Sequence, residues 1–164
     1  MGDHIVGENW RDWFKEWGSR FLLFSWEQAG SMADAEDILQ QAMLAVWSKR
    51  DQFPEIRAGL IFTHIRRVAI NRARTDSRRK SRKEIYATDQ VPLFENSEEV
   101  AYPEVEEALR MLPLEQREVI VLKIWGEQTF ESIGGSLDIS PNTAASRYRY
   151  GLDRLRKSLE GELS

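Results

Sequence analysis

The chain has 164 residues, 41% of them hydrophobic and 30% charged, with a formal net charge of −4 and a pI near 5.4; these are the proportions of a folded globular protein with room for one ordinary domain or two small ones. It holds no cysteine, which excludes disulfides, thiolate zinc sites and cysteine nucleophiles and fits a reducing compartment. No apolar run approaches the ~20 residues that span a bilayer, and "MGDHIVGENW" lacks both an apolar signal core and the Ser or Thr of a myristoylation signal at Val6, so a cytoplasmic protein without membrane insertion is expected.

Helical periodicity starts early. Trp10, Trp13, Phe14, Trp17, Phe21 and Phe24 recur at three- and four-residue spacing, as one buried helix face does. A second helix begins at "SMAD", where Ser31 can cap and Asp34 stands three residues on. Its apolar stripe is Ala35, Ile38, Leu39, Ala42, Met43, Val46 and Trp47. "QFPEIR" breaks the pattern at Pro54. A third helix starts near Ala58 and buries Ile61, Ile65, Val68 and Ala69, leaving Thr63, Arg66, Arg67, Ile70 and Arg74 outward with Leu60 beside them. Nine Arg or Lys residues against one acid, Asp76, lie between Arg66 and Lys83. A solvated helix usually mixes charge signs, so this cationic run points to a polyanion. Leu60 and Phe62 add apolar surface for base stacking; Thr63, Arg66, Arg67, Asn71, Arg72 and Arg74 complete the candidate contacts.

From Glu84 to Leu109 the sign reverses, with eight acids and no base. "EIYATDQVPLFENSEEVAYPE" has no clean period and contains two prolines, so residues 84–102 are expected to form a flexible acidic linker. Folded back, it would neutralise the cationic helix, either as a plain surface charge balance or as an autoinhibitor. A helix near Pro103–Met111 and another opened by Pro113 follow. No segment sustains a period of two, so no sheet is expected. The fold class is all-α: a helical domain over 1–83, the linker, and a second helical domain over 103–164.

The chain ends on a helix pair. Thr129 can cap a short helix that turns Phe130, Ile133 and Leu137 to one face. Gly134 leaves room for a second helix to cross closely, and Asp138 suits a left-handed turn, though less easily than glycine. Ser140 and Pro141 then supply an N-cap and a first-turn proline. On the second helix Ala144, Tyr148, Gly151 and Leu155 face inward, while Asn142, Ser146, Arg149 and Tyr150 face outward, flanked by Thr143, Arg147 and Arg154. That is a helix-turn-helix arrangement. Taken alone, the motif equally suits an amphipathic helix with solvated arginines.

An enzyme is not expected. His4 and His64 are far apart, and no metal-ligand spacing, nucleophile–base set or glycine-rich phosphate loop occurs. No cofactor or metal is called for.

Both halves, in this order, resemble the extracytoplasmic-function sigma factors of bacterial RNA polymerase. "DAEDILQQAMLAVW" resembles their core-binding helix of region two, "AGLIFTHIRRVAINRARTDSRRK" the adjoining promoter-melting helix, and "LPLEQREVIVLKIWGEQTFESIGGSLDISPNTAASRYRYGLDRLRK" region four. The resemblance implies that Asp37, Gln40 and Gln41 dock on the clamp helices of the polymerase's largest subunit. It implies that "KRDQFPEIR" and the following helix capture the minus-ten element, with Arg66, Arg72 and Arg74 on the DNA backbone. It also implies that Ser146, Arg149 and Tyr150 reach base edges of the minus-thirty-five element while Arg147 meets phosphate. The chain departs from the family's usual residues at Gln41 (an acid), Leu60 (Trp), Arg67 (Asn), Asp138 (Gly) and Ala145 (Lys or Arg). The implied function is promoter-specific initiation, with core RNA polymerase and both duplex and melted promoter DNA as partners. The family commonly has an anti-sigma factor as restraint. Two alternatives stay open: a helix-turn-helix regulator that needs no polymerase, and a sigma-like decoy that holds polymerase without reading promoters.

Overall fold

Three helices build the first part of the molecule, α1 (Trp10–Ala29), α2 (Met32–Ser48) and α3 (Ala58–Asp76), each packed against the other two. The structure, a computed structural model, describes residues 4–5, 10–76 and 103–162. The chain divides into two compact units, Met1–Val91 and Pro92–Ser164. The expected linker 84–102 and the basic residues Arg78, Arg79, Lys80, Arg82 and Lys83 lie outside the described residues.

Aromatic packing dominates the first core. Trp13, Trp17, Phe21 and Phe24 of α1 are buried, while Trp10 and Phe14, at its exposed end, are half-buried. From α2 come Ala35, Ile38, Leu39, Ala42 and Val46; from α3 come Ala58, Ile61, Phe62, Ile65 and Ala69. Each large apolar side chain so buried contributes about 1.5–3 kcal/mol relative to exposure. The hydroxyl of Ser31 accepts from the Asp34 amide at 3.2 Å, so the expected cap forms and fixes the start of α2. Two members of the expected α2 stripe are less buried than that stripe implies: Met43 is intermediate and Trp47 is 38% exposed.

The break at Pro54 becomes a short 3-10 turn, Arg50–Gln52, and then a strand. The fold class is all-α as expected, and one minimal ladder is the single addition among the described residues. His4–Ile5 (β1) pairs antiparallel with Ile56–Arg57 (β2), His4 opposite Arg57. Two residues per strand is too short for any alternation to be read from sequence.

The second unit contains α4 (Pro103–Met111), α5 (Leu114–Ile120), α6 (Phe130–Leu137) and α7 (Pro141–Glu162). A π-helical segment, Val121–Trp125, extends α5. Leu109, Leu112 and Ile120 form the centre, with Val105, Trp125, Tyr148, Leu152 and Leu155 packed against them. Gly151 is buried on α7 because a Cβ there would lie 2.8 Å from Cδ1 of Ile120. A larger residue there would require the Ile120 side chain to shift and would press on Gln116 Cβ at 3.2 Å.

The turn between α6 and α7 forms as its residues dictate. Thr129 accepts from the Ser132 amide at 3.1 Å, and Ser140 from the Thr143 amide at 3.0 Å. Asp138 is left-handed, at φ 57° and ψ 48°, and its amide bonds to the Gly134 carbonyl. A Cβ on Gly134 would meet the Ile139 carbonyl oxygen at 2.6 Å. The close neighbour there is the turn itself rather than the body of the second helix. Asp138→Gly should stabilise this unit by about 0.5–1 kcal/mol, since the left-handed region costs an L-residue somewhat more than glycine's extra chain entropy. A melt followed by circular dichroism checks this; an unchanged or lower midpoint would show that the Asp138 side chain itself supports the turn.

Candidate nucleic-acid and partner interfaces

On α3 the buried face is wide because the helix packs on both α1 and α2. Its outward side carries a stripe, Leu60, Thr63, Arg67, Asn71 and Arg74, at spacings of three, four, four and three. Leu60 and Thr63 are half-buried, and Arg67, Asn71 and Arg74 are exposed, with Ile70 alongside. The Thr63 hydroxyl donates to the Gly59 carbonyl at 2.8 Å. This stripe offers an apolar start and a cationic end within one helix face.

Three expected DNA contacts sit differently. Phe62 is fully buried, its ring edge-on to Phe21 at 5.0 Å and to Phe24 at 5.5 Å. It is a core residue, so it cannot stack on a base. Arg66 is half-buried and donates from Nη1 to Oε1 of Gln28 at 3.0 Å, tying α3 to α1. Arg72 shares the inward face with Ile65 and Ala69, seven and three residues earlier. Its Nη2 donates to Oδ1 of Asp34 at 3.1 Å, and its Nη1 stands 3.5 Å from Oδ2 of Asp37. The guanidinium is therefore engaged with α2 and turned away from the outward stripe.

The outer face of α2 carries Asp37, Gln40 and Gln41, all exposed. One turn on, Leu44 is 62% exposed. Trp47 follows, packed against Trp10 at 5.3 Å and covered by the Arg50 guanidinium at 4.7 Å. The sequence reading missed Leu44. Its signal was available: Leu44 lies seven residues after Asp37 and so falls on the same face as Asp37, Gln40 and Gln41.

On α7 the outward face bears Asn142, Arg149 and Tyr150, with Ser146 half-buried between them. Tyr150 is 59% exposed, and the Arg149 guanidinium lies 5.2 Å from its ring centre. Thr143 is occupied locally, accepting from the Ser140 hydroxyl at 2.9 Å. Arg147 leans back toward Glu115 at the start of α5, at 3.8 Å. With the Glu115 side chain 71% exposed, such a pair is weak. Inside, Phe130 of α6 packs edge-on against Tyr148 at 5.5 Å, and Lys123 lies 4.5 Å from the same Phe130 ring. These contacts lock the two helices of the motif together and hold the outward face in register.

Among the described residues, no helix is long and apolar enough to cross a membrane.

Comparison with known proteins agrees with this layout. Residues 13–83 match the family described as Sigma-70 region 2, and residues 103–155 the family described as Sigma-70, region 4. The chain is 32% identical to the RNA polymerase sigma-E factor of Streptomyces avermitilis over 131 residues, covering 77% of this chain and 72% of that protein. It is 28% identical to the ECF RNA polymerase sigma factor RpoE of Cereibacter sphaeroides over 166 residues, covering 96% and 90%. Its fold is similar to that of the sigma factor RpoE solved with the anti-sigma factor NepR from Bartonella quintana, with a TM-score of 0.72 at 21% identity, covering 94% of this chain and 98% of that one.

Proposed function

The chain belongs to the sigma-70 family of RNA polymerase sigma factors, in its extracytoplasmic-function branch, and from that premise we propose how its residues perform promoter-specific initiation. The protein directs core RNA polymerase to chosen promoters and helps to open them. The outer face of α2, with Asp37, Gln40, Gln41 and Leu44, docks on the clamp helices of the polymerase's largest subunit. The outward stripe of α3, with Leu60, Thr63, Arg67, Asn71 and Arg74, takes the minus-ten element. The outward face of α7, with Asn142, Ser146, Arg149 and Tyr150, reads the minus-thirty-five element, and Arg147 leaves Glu115 for a phosphate. Thr143 supports this face through its cap.

The protein makes and breaks no covalent bond in this scheme; nucleotidyl transfer belongs to the polymerase. Binding energy from two DNA contacts and the polymerase interface offsets the few kcal/mol that unstacking each extruded base costs. Leu60 supplies a smaller stacking surface than an aromatic would, so opening leans more on the cationic end of the stripe. The cytoplasm is the setting, and an anti-sigma factor is a natural restraint. The observation that carries the proposal is the conjunction of both sigma regions with three separate outward polar faces on α2, α3 and α7. A lone helix-turn-helix regulator would leave the first unit without a role.

The docking face has a direct test. Replacing Gln40 and Gln41 together by Lys should lower affinity for core polymerase at least about tenfold, the equivalent of ~1.4 kcal/mol, with the thermal melt unchanged. Undiminished affinity would put the docking surface elsewhere.

A further inference from the structure

Arg72 looks, by sequence, like one more DNA contact in a cationic run, but its guanidinium forms ion pairs with two acids of α2, Asp34 and Asp37. Its side chain is 27% exposed, that of Asp34 45% and that of Asp37 62%. A bridge this open contributes little to folding. Its geometry does something else. Asp34 holds Nη2 by a hydrogen bond, which anchors the guanidinium plane beside α2. The other arm, Nη1, then stands 3.5 Å from Oδ2 of Asp37, an ion-pair contact that draws the carboxylate toward α3. The rest of the Asp37 side chain remains open on the same helix face as Gln40, Gln41 and Leu44.

We propose that Arg72 is a positioning residue for polymerase docking, acting through Asp37. It rests on the assignment of the α2 outer face to polymerase. A carboxylate already biased toward one orientation loses less side-chain freedom when a partner binds it, and a rigid fork aims that bias better than a flexible amine. Arg72 thereby leaves the set of phosphate contacts and joins the docking apparatus from behind.

The test is a double-mutant cycle on the full chain with core polymerase, using Arg72→Ala, Asp37→Asn and both together, with Arg72→Lys as a variant that keeps the charge. Arg72→Ala is expected to weaken polymerase binding about three- to tenfold in the native background and to have no further effect on the Asp37→Asn chain, the signature of one residue acting through the other. Arg72→Lys should recover part of the loss. Its melt should match that of the native chain, which keeps the comparison valid if Arg72→Ala unfolds. The salt dependence of DNA binding should be the same for native and Arg72→Lys or Arg72→Ala chains. An equal loss from Arg72→Ala in both backgrounds would mean a merely structural role and overturn the inference. So would a salt slope reduced by about 0.9, the mark of a lost duplex phosphate contact. If Asp37→Asn weakens polymerase binding while Arg72→Ala does not, the inference alone fails; if Asp37→Asn has no effect, the docking face itself is misassigned.

Discussion

Arg149→Ala is expected to lower transcription from the protein's own promoters by about 10- to 100-fold while leaving affinity for core polymerase unchanged. The size follows from the contact: one good side chain on a base edge is worth about 1–3 kcal/mol of discrimination, and each ~1.4 kcal/mol is tenfold. The separation follows from the fold. Arg149 is exposed on α7, in the second unit, and its guanidinium touches Tyr150 rather than the core. Its loss should leave Ala144, Gly151 and the packing behind them undisturbed. Promoters with altered upstream elements should lose less, because they benefited less from that contact. If polymerase affinity drops by the same factor as promoter use, the outward face of α7 is not a reading surface.

Phe62→Ala should cost the first unit about 3–5 kcal/mol, the range for removing a buried aromatic ring. Domains are held by only about 5–15 kcal/mol, so a substantial share of this unit's stability is at stake. The ring is 0% exposed and makes edge contacts with both Phe21 and Phe24. The midpoint of thermal unfolding should therefore fall by at least about 12 °C, taking ~4 °C per kcal/mol for a unit of this size. Leu60→Ala, two residues earlier and half-buried on the outward stripe, should do the reverse: nearly native melting with impaired opening of promoter DNA. A Phe62→Ala chain that melts normally but fails only in opening would return that ring to the DNA surface.

These two residues also mark what was legible in the sequence. Caps were, because the signal is local: Ser31, Thr129 and Ser140 each bond an amide three residues on. The left-handed turn at Asp138 was legible for the same reason. The inward face of α7 could be read from helical spacing, with Gly151 lying against Ile120 and Gln116. The cationic helix was harder. Counting charge over Arg66–Lys83 treats every arginine as outward, although Arg72 stands at core spacing from Ile65 and Ala69. Its partner Asp34, like Gln28 beside Arg66, is 38 residues away in the chain, so no local pattern could name them. Phe62 was misread because α3 packs on two helices, which widens its buried face beyond the usual stripe. The π-helical Val121–Trp125 and the two-residue strands carry no periodic signal at all.

The most direct measurement is run-off transcription with purified core polymerase on fragmented genomic DNA from the source organism, with and without this protein. Discrete new transcripts that share a spaced two-part upstream sequence are the expected result. Demonstrated core binding without any new transcript would contradict promoter-specific initiation and leave a decoy; transcription unaltered together with no core binding would leave a lone helix-turn-helix regulator.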